Sequence, residues 1–231
     1  MIHTSNLHKT YGHGSGAVHA LKGVELQIET GEFVAVMGRS GSGKSTLLRI
    51  LGLLDEPTQG DIYVDGINIA RLPERKKAKF RLNKFGFVFQ EHSLVSELTV
   101  LENVYLPAIC SSHNNEYIEY ARELLEVVGL TDRLQHYPGE ISGGEQQRVA
   151  IARSIVNKPK ILFADEPTAS LDEESSHIVL DLFSRLNRDM GQTIIMVTHE
   201  PEDRKYVDRV IYLRNGAVDL GGAPLSPDLL N

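Results

Sequence analysis

Cysteine is almost absent from this 231-residue sequence, in which Cys110 is the single example. One cysteine cannot form an internal disulfide, so the sequence excludes the disulfide-stabilised scaffolds of small secreted proteins and fits a reducing compartment. We expect Cys110 itself to be a small buried or half-buried side chain.

Long apolar runs are missing as well. No segment approaches the roughly 18 apolar residues that a membrane-spanning helix needs. The first residues, MIHTSNLHKTYG, lack both the cationic start and the apolar stretch of a secretory signal. We therefore expect any association with a membrane to come through a partner.

Positive charge is in deficit, since 24 Lys and Arg residues against 31 Asp and Glu residues leave a formal charge of -7. This balance disfavours broad attraction to nucleic acid or to anionic lipid. We interpret the one basic run, RKKAKFRLNK at residues 75–84, as a solvated helix face, the alternative being a contact with a protein or a membrane surface. The N-terminal histidines show no metal-ligand spacing: His3, His8, His13 and His19.

The first ninety residues have the pattern of strands broken by turns. We predict strands in LKGVELQI, FVAVMG and DIYVDGINI, the last with a hairpin turn at Asp65-Gly66. One helix, KSTLLRILGLL, lies among them, and its apolar residues recur on most faces, which favours burial against a sheet. From about residue 91 to residue 159 a helical pattern takes over. Within residues 115–130 one stripe is apolar, consisting of Ile118, Ala121, Leu125 and Val128.

The last part of the chain returns to strands. KILFADEP and TIIMVTHE are short apolar runs rich in β-branched residues, which is typical of central parallel strands covered on both faces. The helix predicted between them, roughly residues 173–189, makes a β-α-β crossover. RVIYLRNGAVDL then predicts two strands paired around Asn215-Gly216. The pattern of the whole chain is that of an α/β protein with a helical insertion.

The segment GRSGSGKST, residues 38–46, has the pattern of a phosphate-binding loop. It follows a predicted strand and opens a helix, so its backbone N–H groups and the helix N-terminus can surround a phosphate. Lys44 can then reach the β- and γ-phosphates, and the Ser45 hydroxyl can coordinate Mg²⁺. A plain Gly/Ser turn is the alternative. A dinucleotide fingerprint fails, because Thr46 stands where the third glycine is needed.

Polar side chains follow two predicted strands at their carboxyl ends. Asp165 and Glu166 end ILFADE, and His199 ends TIIMVTH. Asp165 is placed to hold the shell of a Mg²⁺ ion, and Glu166 to orient or deprotonate a water molecule. A surface acid pair and a structural histidine are the alternatives. The parallel placement of the two strand ends favours a shared site.

A second segment, ISGGEQQR at residues 141–148, has the pattern of another anion-binding corner. Ser142 and Glu145 are spaced as a capping box at the start of a helix. Gly143 and Gly144 weaken that helix by about 1 kcal/mol each relative to alanine. We expect the close approach of a ligand to the backbone to explain them.

Together these segments resemble the ATP-binding cassette ATPases, the motor subunits of ABC transporters. GRSGSGKST resembles their Walker A motif, ILFADE their Walker B motif and ISGGE their signature motif. SLD at residues 170–172, Gln90 in FVFQE and His199 resemble their D-loop, Q-loop and switch histidine. Tyr11 in KTYG resembles the aromatic residue on which adenine stacks. The resemblance spans nearly the whole chain, from Tyr11 to about Gly216.

The resemblance implies a fold and its division. The fold would be an α/β P-loop NTPase core with a mixed, mainly parallel sheet, an N-terminal antiparallel β subdomain and a helical insertion. Residues 1–231 would form a single ABC ATPase domain. Residues 1–90 and 159–231 would make the catalytic core, and about 91–158 the helical subdomain that carries the signature.

The resemblance also implies the substrate ATP, the cofactor Mg²⁺ and a set of site residues. The expected catalytic residues are Glu166, His199, Lys44 and Gln90. The expected metal-site residues are Ser45, Gln90 and Asp165. Contacts with nucleotide are expected from Tyr11, the phosphate loop, the signature and the D-loop, namely Tyr11, Gly38, Arg39, Ser40, Gly41, Ser42, Gly43, Lys44, Ser45, Thr46, Ser142, Gly143, Gly144, Glu145 and Asp172.

In this family two cassettes pair head to tail, and each ATP lies between the Walker A of one and the signature of the other. Ser142 and Gly144 would then contact the partner's γ-phosphate, and Asp172 would cross the interface. Gln90 would link the magnesium site to a transmembrane permease. The implied partners are a second copy and a permease, without nucleic acid, and the implied location is the cytoplasmic face of the cell inner membrane.

Within the family, the segments around the Walker A motif, Gln90 and His199 look most like the lipoprotein-release and macrolide-export branch. That branch also includes antimicrobial-peptide exporters and a cell-division cassette. The chain departs from the common signature at Ile141, where leucine is usual, and at Glu145, where glutamine is usual. The second change places a negative charge near a phosphate.

Three other functions stay open. A cell-division-type cassette would transmit force rather than transport a substrate. A soluble cassette acting on DNA or ribosomes usually carries a coiled-coil insertion or a second cassette, and the acidic balance disfavours it. A nucleotide kinase would use the same phosphate loop but would leave Ser142, Asp172 and His199 without a role.

Overall fold

The computed structural model of the chain describes residues 1–111 and 116–219. Its strands are β1 Ile2–Tyr11, β2 Val18–Ile28, β3 Phe33–Met37, β4 Gln59–Val64, β5 Ile67–Asn68, β6 Phe85–Phe89, β7 Ile161–Asp165, β8 Thr193–Val197, β9 Arg209–Arg214 and β10 Ala217–Val218. Its α-helices are α1 Lys44–Leu51, α2 Glu74–Lys84, α3 Val100–Cys110, α4 Tyr117–Val127, α5 Gly143–Ile155 and α6 Glu173–Met190.

The strands form two sheets. One is antiparallel with the order β2-β1-β4-β5. The other has the order β10-β9-β3-β8-β7-β6, and every neighbouring pair is parallel except β9 and β10. The predicted α/β fold, with a mixed, mainly parallel sheet and an N-terminal antiparallel sheet, is confirmed.

The apolar strands are buried on both faces, as their sequence predicts. In β7, Ile161 and Phe163 pack with α1 and the antiparallel sheet, whereas Leu162 and Ala164 face helices α3 to α6. All four are fully buried. Because successive side chains of a strand point to opposite faces, a strand between two cores must be apolar throughout.

Register brings the predicted site segments to one edge of the sheet. Val36 of β3 lies opposite Val197 of β8, which lies opposite Asp165 of β7. The carboxyl ends of these parallel strands therefore meet. The loop after β3, the carboxylates after β7 and His199 after β8 emerge side by side.

Both predicted hairpin turns are confirmed. Asp65-Gly66 joins β4 to β5, and Asn215-Gly216 joins β9 to β10. All four residues have positive φ, from 49° at Asp65 to 83° at Gly216. Asn, Asp and Gly tolerate this conformation, which explains why these dipeptides predict the turns.

Helix α1 is shorter than its apolar pattern predicts. The pattern runs to Leu54, whereas the helix ends at Leu51. A Cβ on Gly52 would lie 2.5 Å from Cε1 of Phe87, and Leu53 has a left-handed φ of 59°. The left-handed turn at Leu53 ends the helix before Leu54, and the close packing of Phe87 explains why residue 52 is glycine.

The expectation for Cys110 is wrong, because this residue is exposed. Helix α3 buries Val100, Val104 and Ala108, which are spaced four apart on one stripe. Cys110 follows Ala108 by two positions and so falls off that stripe.

Helices α3, α4 and α5 fall within the segment predicted to be helical. Ala121 and Leu125 of α4 and the following Val128 are buried, and Ile118 is partly buried, as the stripe predicts. Asn115, at the start of the predicted stretch, lies outside the described residues.

The basic run, residues 75–84, forms most of α2, where Lys77 is the only buried residue. No helix in the described parts of the chain combines the length and the apolar character that crossing a membrane requires.

Candidate functional site

The loop between β3 and α1 contains glycines that are required for two different reasons. A Cβ on Gly38 would lie 2.2 Å from the carbonyl oxygen of Leu213, and one on Gly43 would lie 2.5 Å from that of Ala20. These two glycines are required by packing beneath the loop. Gly41 has φ +76° and no atom within 4 Å of a Cβ position. Its backbone therefore faces open space, as a phosphate contact needs.

The tip of the loop is accessible and its base is anchored. Arg39, Ser40, Gly41 and Ser45 are exposed, whereas Ser42 is buried. The N–H of Ser42 donates to the carbonyl of Arg39 at 3.1 Å, and the Ser42 carbonyl accepts from the N–H of Gly216 at 3.0 Å. Ser42 thus joins the loop to the β9–β10 turn through its backbone.

Lys44 is the first residue of α1 and its side chain is folded against the loop. It is 6% exposed, and its Nζ donates to the carbonyls of Gly38 at 2.9 Å and Arg39 at 3.2 Å. Burial lowers the pKa of Lys44, while the charges of Glu166 and Asp165 oppose that shift. The ammonium group retains a third donor for an anion in the loop.

Ser45 and Asp165 meet across the edge of the sheet. The Ser45 Oγ donates to Oδ1 of Asp165 at 2.9 Å. Burial raises the pKa of Asp165 and the charge of Glu166 adds to this, whereas the Ser45 hydrogen bond and the charge of Lys44 oppose it. Two oxygen ligands of the kind that Mg²⁺ prefers are therefore held together.

Glu166 has a backbone conformation that few residues adopt. Its φ is 47°, and its N–H donates to the carbonyl of Val197 at 2.9 Å. Its Oε1 lies 3.4 Å from Nδ1 of His199, whose Nε2 lies 3.2 Å from Oε1 of Glu200. Left-handed non-glycine residues concentrate at functional sites, so the strain agrees with a role in chemistry.

Two of the clefts that adjoin the loop also contain the expected carboxylates. One, of about 610 Å³, is lined by the loop and by Tyr11, Val18, His19 and Glu166 among others. The other, of about 500 Å³, is lined by Gln90, Ser45, Asp165 and Glu166 with their neighbours. The geometry therefore gathers the expected loop, metal and base residues around connected space.

Tyr11 lies at the end of β1, at the side of the larger cleft. Its ring is 41% exposed, and its hydroxyl donates to Oδ2 of Asp55 at 2.7 Å. Burial and the Asp55 carboxylate raise the pKa of Tyr11, whereas a hydrogen bond with Thr46 opposes them. The hydroxyl is thus fixed beside the loop, and Nζ of Lys9 lies over the ring, 4.7 Å from its centroid.

The second corner is the capped N-terminus of α5. Ser142 Oγ accepts from the N–H of Glu145 at 3.2 Å, and Glu145 Oε2 accepts from the N–H of Ser142 at 2.8 Å. The predicted capping box is confirmed. Oε1 of Glu145 also lies 3.2 Å from Nε of Arg133. The Ser142 N–H first, and Arg133 as well, lower the pKa of Glu145, and the cation offsets its charge.

Gly144 has a structural reason that the sequence does not reveal. A Cβ there would lie 2.7 Å from Oγ and 2.9 Å from Cβ of Ser175, on α6. Helix packing therefore accounts for Gly144 by itself, and the expected approach of a ligand to its backbone stays a prediction. A Cβ on Gly143 would meet nothing nearer than 3.8 Å, so no packing contact explains that glycine.

Asp172 caps α6 next to this corner. Its Oδ1 accepts from the N–H of Ser175 at 2.8 Å and its Oδ2 accepts from the Ser175 hydroxyl at 2.9 Å. The Ser175 N–H lowers the pKa of Asp172 and keeps it ionised. Neither Asp172 nor residues 142–145 are among the described residues that line the two clefts at the phosphate loop.

Sequence reasoning missed two residues of α5 that hold the segment containing Gln90. Gln147 is fully buried, and its Nε2 donates to the carbonyl of Pro167 at 2.6 Å while its Oε1 lies 2.7 Å from Nδ1 of His92. The Arg153 guanidinium donates to the carbonyls of His92 at 2.8 Å and Ser93 at 2.6 Å. The available signal was the helical spacing of Gln147 with buried Ile151.

Comparison with known proteins relates most of the chain to one family. The profile described as ABC transporter matches residues 21–169. The ABC transporter ATP-binding protein MJ1508 of Methanocaldococcus jannaschii is 51% identical over 219 residues, which cover 94% of this chain and 97% of that protein. The lipoprotein-releasing system ATP-binding protein LolD of Bordetella pertussis is 44% identical over 216 residues, or 93% of this chain and 94% of LolD.

A longer relative and a solved structure agree with this family relationship. The macrolide export ATP-binding/permease protein MacB of Chlorobium luteolum is 49% identical over 218 residues, which cover 94% of this chain but 33% of MacB. The ATP-binding cassette MJ0796, solved as a dimer in a post-hydrolysis state with ADP and Pi, is 43% identical. It superposes with a TM-score of 0.87 over 95% of this chain and 97% of that chain.

Proposed function

Since the chain belongs to the ABC transporter family, we propose that it is the ATP-hydrolysing subunit of a transporter, which pairs with a second copy around two ATP molecules and drives a separate permease. One observation carries the proposal. The phosphate loop and its carboxylates share one sheet edge, whereas the capped corner at Ser142 is not among the residues lining the clefts there. A corner that does not serve its own loop is available to another copy.

ATP binding depends on the loop and on Tyr11. The N–H groups around Gly41 and the start of α1 receive the β- and γ-phosphates, and Lys44 adds its charge. The exposed ring of Tyr11 stacks on the adenine at the side of the larger cleft. Thr46, beside the Tyr11 hydroxyl, lies between these two regions.

The oxygen ligands fit a magnesium ion. Ser45 and Asp165 are already in contact, and Gln90 lines the same cleft. No group of three or more His, Cys, Asp or Glu side chains suited to a metal occurs in the described residues, which agrees with an ion that keeps most of its ligands from phosphate and water. When bound, Mg²⁺ neutralises charge on the β- and γ-phosphates.

In the proposed hydrolysis, Glu166 and His199 have distinct roles. The Glu166 carboxylate orients the attacking water and accepts its proton. His199, whose Nδ1 is 3.4 Å from Glu166, contacts the γ-phosphate on the same side. Both follow the neighbouring parallel strands β7 and β8, so the sheet places their backbones side by side.

The second copy supplies the corner. Ser142, Gly143 and Gly144, at the start of α5, approach the partner's γ-phosphate, where the helix N-terminus favours negative charge. Asp172 crosses the interface beside them. We infer that each chain acts as one domain, with residues 1–90 and 159–231 as the catalytic core and about 91–158 as the helical subdomain.

The names of the relatives support a permease partner and a membrane location. LolD and MacB are named for lipoprotein release and macrolide export, and we propose an exporter or a lipoprotein- or peptide-handling system of that branch, at the cytoplasmic face of the inner membrane. Gln90 lies on the segment that transmits the state of the magnesium site to the permease. Purification of the native complex tests this directly: a co-purifying integral membrane permease supports it, and co-purifying nucleic acid or ribosomes without a permease contradict it.

A further inference from the structure

A buried aspartate lies in the loop that contains His199, and the proposed hydrolysis does not use it. Asp203 is 3% exposed and Thr198 is 2% exposed. The Thr198 hydroxyl donates a 2.5 Å hydrogen bond to Oδ2 of Asp203. The same hydroxyl oxygen accepts a 3.1 Å hydrogen bond from the N–H of Glu200. One threonine hydroxyl therefore joins three residues of the loop around His199.

The loop is also attached to the phosphate-loop strand. The N–H of Thr198 donates to the carbonyl of Val36 in β3 at 3.2 Å, and the N–H of Asp203 donates to the carbonyl of Glu200 at 3.3 Å. Residues 201–206 form a 3₁₀ helix that begins with Pro201, which restricts the backbone further. The Thr198–Asp203 hydrogen bond links the residue before His199 to this 3₁₀ helix.

The side chain of His199 depends on that loop for its position. It is 49% exposed, and its two ring nitrogens face Glu166 at 3.4 Å and Glu200 at 3.2 Å. A half-exposed ring is not held by packing, so its backbone must be placed accurately. Thr198, the preceding residue, is the point at which side-chain hydrogen bonds fix that backbone.

Burial of a carboxyl group is unfavourable unless a partner satisfies it. Burial is the largest cause that raises the pKa of Asp203, and Glu200 and Glu202 add to it, while Thr198 and the charge of His199 oppose it. An apolar residue would avoid this cost, but it would leave the Thr198 proton buried without its acceptor. The carboxyl oxygen is thus explained by the hydrogen bond that it accepts.

We propose that Asp203 is a positioning residue for hydrolysis, which accepts the Thr198 hydrogen bond and so holds His199 beside Glu166. This inference rests on the proposed function, because Asp203 acts through the γ-phosphate contact assigned to His199. Asp203 itself does not touch the reacting atoms.

The test uses conservative and disruptive variants of both partners in the purified full chain. Asp203→Asn keeps the size and an acceptor oxygen, whereas Asp203→Leu removes the acceptor. Thr198→Ser keeps the hydroxyl and Thr198→Val removes it. We expect Asp203→Leu and Thr198→Val each to lower kcat about tenfold and to change KM for ATP by less than about twofold. Asp203→Asn and Thr198→Ser should keep kcat within about twofold of wild type.

A double-mutant cycle separates positioning from general destabilisation. Because Thr198→Val and Asp203→Leu remove the same hydrogen bond, the double variant should lose no more kcat than the worse single variant. Wild-type kcat in Asp203→Leu, or a double loss equal to the product of the single losses, would overturn the inference. An Asp203→Asn loss as large as that of Asp203→Leu would overturn it too.

Two further measurements keep the outcome decisive. If Asp203→Leu does not fold, equal kcat in Thr198→Val and Thr198→Ser overturns the inference, and a loss in Thr198→Val alone supports it. His199→Ala is assayed in parallel. Full turnover of His199→Ala overturns the role of His199 in the proposed function, whereas low turnover of His199→Ala beside normal turnover of Asp203→Leu overturns the Asp203 inference alone.

Discussion

Glu145 and Glu166 both place a carboxylate near a proposed nucleotide site, but the surroundings of the two carboxylates differ. Glu166 has a left-handed backbone and an oxygen 3.4 Å from His199. The Glu145 carboxylate accepts a hydrogen bond from the N–H of Ser142 and forms an ion pair with Arg133. The sequence predicts the place of Glu166, because strand ends meet at one edge. It does not predict Arg133 as the counter-charge of Glu145, because that ion pair depends on how the loop before α5 folds.

Replacement of Glu166 by glutamine keeps the side chain's size and removes its proton affinity. We expect Glu166→Gln to lower kcat by about 10²-fold or more, with KM for ATP nearly unchanged, since a general base contributes about this factor. The measurement is steady-state phosphate release with Mg²⁺. Glu119→Gln is the matched control, because Glu119 pairs with Arg122 at the surface of α4 and its loss should leave kcat unchanged. Normal turnover in Glu166→Gln would remove the assigned role of Glu166.

Replacement of Glu145 by glutamine tests whether its carboxylate repels nucleotide. The helix cap and Arg133 hold the carboxylate, so we expect Glu145→Gln to change the ATP concentration needed for dimerisation by less than about twofold. Dimerisation is followed by light scattering during an ATP titration. A roughly tenfold lower ATP requirement would mean that the negative charge acts on the phosphate as the sequence suggests.

The difference in stability between wild type and Glu145→Gln should depend on pH. The pKa of Glu145 is lowered in the folded chain, so its stabilising contribution is present above the unfolded-state pKa and is lost as the pH falls through the folded-state pKa. Glu145→Gln should therefore be less stable than wild type by about 0.5 kcal/mol at neutral pH and equal to it in acid. Denaturant unfolding at the two pH values measures this. A difference that persists in acid would contradict the ionic origin of the stabilisation.

At the scale of elements, α5 connects the two half-sites of one chain. Its N-terminus is the capped corner, and its Gln147 and Arg153 hold the segment that contains Gln90. Strands and helices follow from the apolar pattern of the sequence, as the buried runs of β7 and β8 confirm. Their tertiary contacts do not, because the need for Gly52 depends on Phe87 and the need for Gly144 depends on Ser175. Such contacts join segments that are distant in sequence.

The two glycines of the corner form a matched pair for mutation. Gly144→Ala places a Cβ 2.9 Å from the Cβ of Ser175, so we expect the free energy of unfolding to fall by about 1–3 kcal/mol. Gly143→Ala meets nothing nearer than 3.8 Å and should be as stable as wild type or more stable by up to about 1 kcal/mol. Chemical denaturation of both variants gives the comparison. Equal stability of Gly144→Ala and wild type would contradict the packing of α5 on α6.

At the scale of the whole molecule, parallel strand order brings the phosphate loop, Asp165, Glu166 and His199 to one edge. This assembly is predictable because the carboxyl ends of neighbouring parallel strands coincide. The completion of the site by a second chain is expected only from the family resemblance, because no periodicity in one sequence describes a surface between copies. The position of the capped corner outside the loop's own clefts supplies that argument.

The most direct measurement of this account is the solution mass of Glu166→Gln with and without ATP. Light scattering should show one chain of 25.7 kDa without ATP and twice that mass with ATP and Mg²⁺. Glu166→Gln combined with Gly143→Asp should bind ATP equally well but stay monomeric, because the added charge repels only the partner's nucleotide. A Glu166→Gln chain that binds ATP and remains monomeric, or a Gly143→Asp combination that dimerises as readily, would contradict a site shared between two copies.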